Sequence, residues 1–198
     1  MLTSDDVLHI FRDSGALLEG HFLLTSGRHS GHYLEKFQVL QYPHLTSRLC
    51  AEFARRFADD NVQVVVGPAT GGIILAFETG RQMGVRAIFT EREDGKMTFR
   101  RGFALQPGER VLVVEDIVTT GGSVFEVLDA VRGQGGAIVG IALLADRSGG
   151  TVHFGVRTEA LTTLDIPSYA PEECPLCRAG APLTKRGSRE QGGVKRAA

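Results

Sequence analysis

The residues best suited to chemistry lie in one stretch, VLVVEDIVTTGGS, at positions 111–123 of the 198-residue chain. An apolar run ends on two adjacent acids, Glu115 and Asp116, and continues into Thr119, Thr120, Gly121, Gly122 and Ser123. A glycine- and hydroxyl-rich loop that opens a helix offers free backbone N–H groups and hydroxyl donors to an anion. The loop has neither the Lys-Ser/Thr pair of a P-loop nor the G-x-G-x-x-G spacing of a dinucleotide fingerprint, so it suits a single phosphate monoester. The acids suit different groups. A carboxylate accepts hydrogen bonds from adjacent hydroxyls and binds hard cations such as Mg²⁺, directly or through water. Ribose hydroxyls next to a phosphate describe a ribose 5-phosphate.

A second loop, GPATGG at positions 67–72, supplies Thr70, Gly71 and Gly72; beside the first loop it reads as a cradle for a diphosphate. Two further pairs are read conservatively. His29-x-x-His32 could form half a metal site, but it has no partner pair in the sequence and is read first as solvated or substrate-side histidine. Cys174-x-x-Cys177 looks like half a zinc site, but Cys50 is distant in sequence and sits on a core helix, so a structural turn is the first reading. No metal is expected to be held directly by the protein.

These loops need elements to position them. Thr3 and Asp6 start a helix that Gly15 ends, with Val7, Ile10 and Phe11 on its apolar face. FLLTSGRHSGHYLE is two extended pieces around a turn at Ser26-Gly27. Pro43 opens a helix whose Leu45, Leu49, Phe53 and Phe57 form one core stripe. Solid apolar strands then alternate with amphipathic helices: VQVVVGP, GIILAFETGRQMG, VRAIFTE, RVLVVED, SVFEVLDAVRGQGG and AIVGIALLADR. That alternation predicts an α/β fold with a mostly parallel sheet covered on both faces. Ligands in such sheets bind at the carboxyl ends of the strands, where the loops at 67–72, 92–104, 115–123 and 146–150 fall. Residues 92–108 read as a long loop or flexible hairpin, and FGVRTEALTTLDI as one or two more strands. The expected organisation is a single domain over 1–184, including an N-terminal hood at about 15–40, and a disordered tail over 185–198.

Composition narrows the function. A net charge of −1 gives no bulk attraction to nucleic acid or to a membrane. No apolar run approaches the roughly 20 residues that span a bilayer, and the acidic N-terminus is unlike a signal peptide. Three cysteines make no disulfide framework. A cytoplasmic enzyme or binding protein is expected.

The 111–123 stretch resembles the phosphoribosyl-diphosphate signature of the type I phosphoribosyltransferases, and GPATGG resembles their diphosphate loop. Over roughly residues 8–190 the pattern is most similar to the orotate phosphoribosyltransferases. FLLTSGRHSGHYLE is similar to their substrate-covering segment, ADRSGG to their base-binding Arg segment, and CPLCRAGAPLTKRGSR to a C-terminal extension of one bacterial and archaeal subgroup. The resemblance implies transfer of ribose 5-phosphate from 5-phosphoribosyl 1-diphosphate to orotate, with Mg²⁺ held through diphosphate and water near Glu115 and Asp116. It implies that Glu115 and Asp116 hold the ribose hydroxyls and that Thr119 to Ser123 hold the 5-phosphate. Thr70, Gly71 and Gly72 would hold the diphosphate, and Arg92 and Lys96 would close over it. Thr25, Tyr33, Thr119 and Arg147 would line the orotate site, with Leu34 packed nearby. Arg92, Lys96 and Asp116 are the implied catalytic residues. A homodimer that shares the active-site loop is implied too, with no nucleic acid or membrane partner.

The chain departs from better-known members in three places. Thr25 stands where they have Lys, Glu93 replaces a second basic loop residue, and no His follows Lys96. Arg100 and Arg101 are candidates for the missing charge. A purine phosphoribosyltransferase and a non-enzymatic sensor of phosphoribosyl diphosphate are the competing readings.

Overall fold

The computed structural model describes residues 1–24 and 26–186. In chain order the elements are α1 (Ser4–Asp13), β1 (Leu17–Leu23), β2 (His29–Leu34), α2 (Phe37–Leu40), α3 (Pro43–Arg56), β3 (Val64–Pro68), α4 (Gly71–Met83), β4 (Arg86–Glu93), β5 (Lys96–Phe99), β6 (Arg110–Val118), α5 (Gly122–Gly133), β7 (Ala137–Asp146), β8 (Thr158–Thr163), β9 (Ser168–Tyr169), α6 (Pro175–Arg178) and β10 (Thr184–Lys185). They divide into two compact units, Met1–Ala16 with Glu35–Asp165, and Leu17–Leu34 with the segment from Ile166 onward.

The larger unit is built on a six-stranded sheet of order β5-β4-β3-β6-β7-β8. All neighbours are parallel except β5, which runs antiparallel to β4. Side chains alternate between the faces of a strand. Val64, Val66, Val111, Val113, Ile141 and Leu143 therefore share one face, where they pack with Val124, Val127, Leu128 and Val131 of α5. Burying each of these side chains contributes about 1.5–3 kcal/mol. Val65, Leu112, Val114, Ala142 and Leu144 are equally buried and point the other way. On that account the strands read as solid apolar runs. Helix α4 packs on β3, β4 and β6, and α3 packs on α4.

The expected helix starts hold. Thr3 and Asp6 form a reciprocal capping box at α1, and Pro43 occupies the first turn of α3. Leu49, Phe53 and Phe57 of the α3 stripe are fully buried.

One strand boundary is corrected and one open alternative is decided. The third parallel strand does not stop at Asp116: β6 continues through Ile117 and Val118, which pair with Ala145 and Asp146 of β7. Of the two readings left open for residues 92–108, the hairpin is the one observed, over 92–99. β4 runs to Glu93, turns on Asp94-Gly95, both with positive φ, and returns as β5 with Glu93 opposite Lys96. Asp-Gly is a favoured two-residue hairpin turn because its twist matches that of the strands.

The smaller unit is a four-stranded sheet of order β10-β1-β2-β9. β1 and β2 form the expected hairpin, closed by Leu24 N–H donating to the Arg28 carbonyl, with Gly27 at positive φ. The C-terminal segment supplies both flanking strands, so the hood residues share a unit with it. Lys185 pairs with Leu23 in β10, one residue into the segment expected to be a tail; residues 187–198 lie outside the described residues.

Candidate active site

Strands β3, β4, β6 and β7 of the larger unit all end at one sheet edge, and the chemistry-bearing loops follow them. Glu115 and Asp116, near the end of β6, are only 5% and 3% exposed. As neighbours in a strand they face opposite sides of the sheet. Glu115 shares the α5 side with Val111 and Val113. Its Oε2 accepts from Ser123 Oγ at 3.0 Å, and its Oε1 from the Asp116 N–H at 2.9 Å. Asp116 faces the start of α4. Its Oδ1 accepts from the Ile117 N–H at 2.8 Å, and its Oδ2 lies 2.8 Å from Lys36 Nζ.

Burial disfavours charge on both carboxylates. It raises the Glu115 pKa, and the adjacent Asp116 charge raises it further, against the opposing hydrogen bonds from Asp116 N–H and Ser123. Burial also raises Asp116, with Lys36 as the largest opposing influence. For Lys36 itself, burial lowers the pKa, but the Asp116 carboxylate more than offsets it and the net shift is upward. The edge thus holds two buried acids on which burial disfavours charge, with one ammonium paired to Asp116.

The turn from β3 into α4 lies against this pair. The Ala69–Thr70 peptide bond is cis, and Ala69 N–H donates to the Thr90 carbonyl at 2.8 Å. A Cβ on Gly71 would come 2.1 Å from Asp116 Oδ2, and one on Gly67 would come 2.1 Å from the Gly72 carbonyl oxygen. Only glycine permits such approaches. Thr70 precedes the first turn of α4, and no side chain caps that helix. The turn into α5 is similar. Thr119 and Thr120 are exposed, Gly121 adopts φ +74 at the N-cap, and no side chain caps α5 either. The first-turn N–H groups of a helix have no intrahelical partner, so both helices present backbone donors beside the acids. Ser123 belongs to this turn, but its hydroxyl is committed to Glu115, which leaves its N–H for an anion.

Arg92 and Lys96 sit on the β4–β5 hairpin. Arg92 donates to Gly95 O and pairs with Glu126 Oε1 of α5 at 3.0 Å. Glu126 Oε2 also accepts from Met97 N–H, so α5 and the hairpin are fastened together. Arg100 pairs with Glu93, and Arg101 makes a bidentate pair with Glu91. Lys96 has no ion pair among the described residues. Arg147 follows β7, half-buried, and its N–H donates to the Val118 carbonyl at 2.8 Å, which ties it to the end of β6.

The larger unit therefore gathers Thr70 to Gly72, Glu115, Asp116, Thr119 to Ser123 and Arg147 at strand ends, with Arg92 and Lys96 on the adjoining hairpin. Tyr33 belongs to the smaller unit, on β2, with its ring 5.7 Å from that of Phe22; Leu34 is buried there. Thr25 lies outside the described residues. Lys36 is the site residue that the sequence did not suggest. It belongs to no motif, and only a strand-end lysine near a hidden carboxylate could have pointed to it.

Residues 40–154 match the model of the phosphoribosyl transferase domain. A Pelotomaculum thermopropionicum protein named orotate phosphoribosyltransferase is 57% identical over 189 residues, covering 96% of this chain and 100% of that one. A Desulforamulus reducens protein of the same name is 53% identical, covering 96% and 99%. Among solved structures, the orotate phosphoribosyltransferase of Aeropyrum pernix superposes with a TM-score of 0.68 at 27% identity, covering 80% of this chain and 93% of the other. No described helix is long and apolar enough to cross a membrane. The chain has the type I phosphoribosyltransferase fold and belongs to the phosphoribosyltransferase family, within it to the orotate phosphoribosyltransferases.

Proposed function

We propose that this enzyme joins N1 of orotate to C1′ of 5-phosphoribosyl 1-diphosphate, giving orotidine 5′-phosphate and diphosphate in the pathway to UMP. The observation that carries the reading is the contact of the two loops: the diphosphate-type turn closes on the same buried acid that borders the phosphate cradle. One ligand with a monophosphate, a vicinal diol and a diphosphate matches that juxtaposition.

In this reading the N–H groups of residues 119–123 hold the 5-phosphate, with Thr119 and Thr120 hydroxyls added. Glu115 and Asp116 accept from the ribose hydroxyls, and Lys36 keeps Asp116 oriented. Thr70 and the N–H groups of Gly71 and Gly72 hold the diphosphate. Hard carboxylate oxygens beside a diphosphate cradle fit Mg²⁺; Glu115 and Asp116 would hold it through water, and it would neutralise charge on the diphosphate. As the leaving group departs, positive charge builds at C1′ and negative charge on the diphosphate, so electrostatic stabilisation is the main task of the protein. Arg92, Arg100 and Arg101 are engaged in exposed pairs that cost little to exchange, whereas Lys96 has no ion pair among the described residues. Lys96 is therefore the principal cation at the leaving group, with Arg92 supporting it. Arg147 and Thr119 serve the orotate carboxylate and ring; a role for Tyr33 and Thr25 there rests on family resemblance alone. A homodimer that shares the β4–β5 hairpin rests on family resemblance, and a cytoplasmic location on composition.

Product identification tests the reading. The purified chain, offered orotate, adenine, hypoxanthine or xanthine with phosphoribosyl diphosphate and Mg²⁺, should yield orotidine 5′-phosphate alone. A purine nucleotide as sole product would replace the reading with a purine phosphoribosyltransferase.

A further inference from the structure

The smaller unit is poor in apolar core. Among its described residues, the buried apolar side chains are Phe22, Leu34 and Cys174. Units with so little core commonly depend on a disulfide or a metal. All the cysteines are free thiols, Cys174 buried and Cys177 exposed.

Those two thiols come from one turn. Cys174 precedes α6, Cys177 lies within it, and Gly180 at positive φ turns the chain afterwards. His21 of β1 and His29 of β2 meet them from the hairpin, 4% and 5% exposed. His21 Nε2 lies 3.0 Å from His29 Nδ1, 3.5 Å from Cys174 Sγ and 3.7 Å from Cys177 Sγ. Cys177 Sγ lies 3.2 Å from His29 Nδ1, and all four atoms fall within 4.8 Å of one another.

Hydrogen bonding does not account for this convergence. His21 Nδ1 is 2.9 Å from the Ala181 carbonyl oxygen, an acceptor only, so Nδ1 carries the proton. A neutral ring then has one lone pair, on Nε2, and three potential partners crowd it. A cation at their common centre satisfies all four groups at once. Tetrahedral zinc, with Zn–N of about 2.0–2.1 Å and Zn–S of about 2.3 Å, sets its ligand atoms roughly 3.3–3.8 Å apart. Four of the six separations lie within a few tenths of an ångström of that range, and the other two, within 4.8 Å, need to close by up to about 1 Å. The Nδ1–H bond to Ala181 is the outer-shell partner that metal-bound histidines use to fix tautomer and ring orientation.

We propose that His21 Nε2, His29 Nδ1, Cys174 Sγ and Cys177 Sγ bind one structural Zn²⁺. The ion clips the segment after β9 onto the β1–β2 hairpin and sets the start of β10. The four protein ligands close the coordination sphere, so the site is structural and not hydrolytic.

The test uses the full chain, expressed with zinc in the medium and purified without chelator or metal-binding tag. Elemental analysis should find about one zinc per chain. Replacement by Co²⁺ should give the intense visible bands of tetrahedral, thiolate-ligated cobalt. Cys174→Ser and Cys177→Ser should lose both signals, and Cys50→Ala should keep both. If the ligand variants misfold, the wild-type cobalt spectrum decides by itself. A wild-type chain with no stoichiometric metal and a pale octahedral cobalt spectrum overturns the proposal. So does a Cys174–Cys177 disulfide in freshly purified protein, or zinc retained by the cysteine double variant.

Discussion

Gly71 and Asp116 are so close that a single methyl group on Gly71 would lie 2.1 Å from the Asp116 carboxylate. The diphosphate-type turn and the ribose-type acid are thus one surface. Gly71→Ala must push the Asp116 side chain off Lys36 or shift the turn. The expected result is a loss of about 10²-fold in kcat/KM, the cost of displacing a positioned group by about an ångström, with thermal stability little changed. Gly67→Ala meets rigid backbone, the Gly72 carbonyl, instead of a side-chain tip. It should destabilise the fold by on the order of 3 kcal/mol. Thermal melts alongside steady-state kinetics separate the two outcomes.

Glu115 is held in a state that costs stability. Its pKa is raised, so the folded chain holds a proton that the unfolded chain releases in the ordinary carboxylate range. Wild type and Glu115→Gln should be equally stable below that range. As pH rises through the raised pKa, wild type loses stability and the Gln variant does not. At alkaline pH the variant should be more stable by about 1 kcal/mol, roughly 2–4 °C in Tm, while its turnover falls. Melting curves across pH check the sign.

The hairpin cations should not be equivalent. Lys96→Ala should lower kcat by about 10²–10³-fold, the range for removing one transition-state donor. Arg100→Ala and Arg101→Ala break exposed pairs with Glu93 and Glu91 and should cost less than about tenfold. Equal losses at all three positions would show shared charge in place of one principal cation.

Glu52 should govern acid stability. Hydrogen bonds from Arg55 above all, opposed by burial and joined by Arg56 and the Leu2 N–H, pull its pKa down to about 2. A depressed carboxylate stabilises the fold above its unfolded pKa and loses that contribution as pH falls through the folded value. Glu52→Gln should cost about 2 kcal/mol at neutral pH. The gap should close between the ordinary glutamate range and about pH 2, which denaturant titrations at several pH values would reveal.

The sheet was legible because its strands are buried on both faces: uninterrupted runs such as Val111 to Val114 leave no other reading. The site loops were legible because glycine and hydroxyl residues after such strands have few other uses. The β4–β5 hairpin was left undecided between loop and hairpin because its strands are polar and short, although Asp94-Gly95 carries the turn signal. Lys36 was invisible because its partner, Asp116, is 80 positions away and nothing local marks the pairing. The His21 and His29 partners of Cys174 and Cys177 were hidden for the same reason: they lie about 150 residues upstream of the cysteines, and only the fold joins them.

The central claim is tested most directly by following orotate absorbance. The account predicts a steady loss that requires enzyme, phosphoribosyl diphosphate and Mg²⁺ together, and that Asp116→Asn abolishes. A flat trace from folded protein with every component present would contradict it.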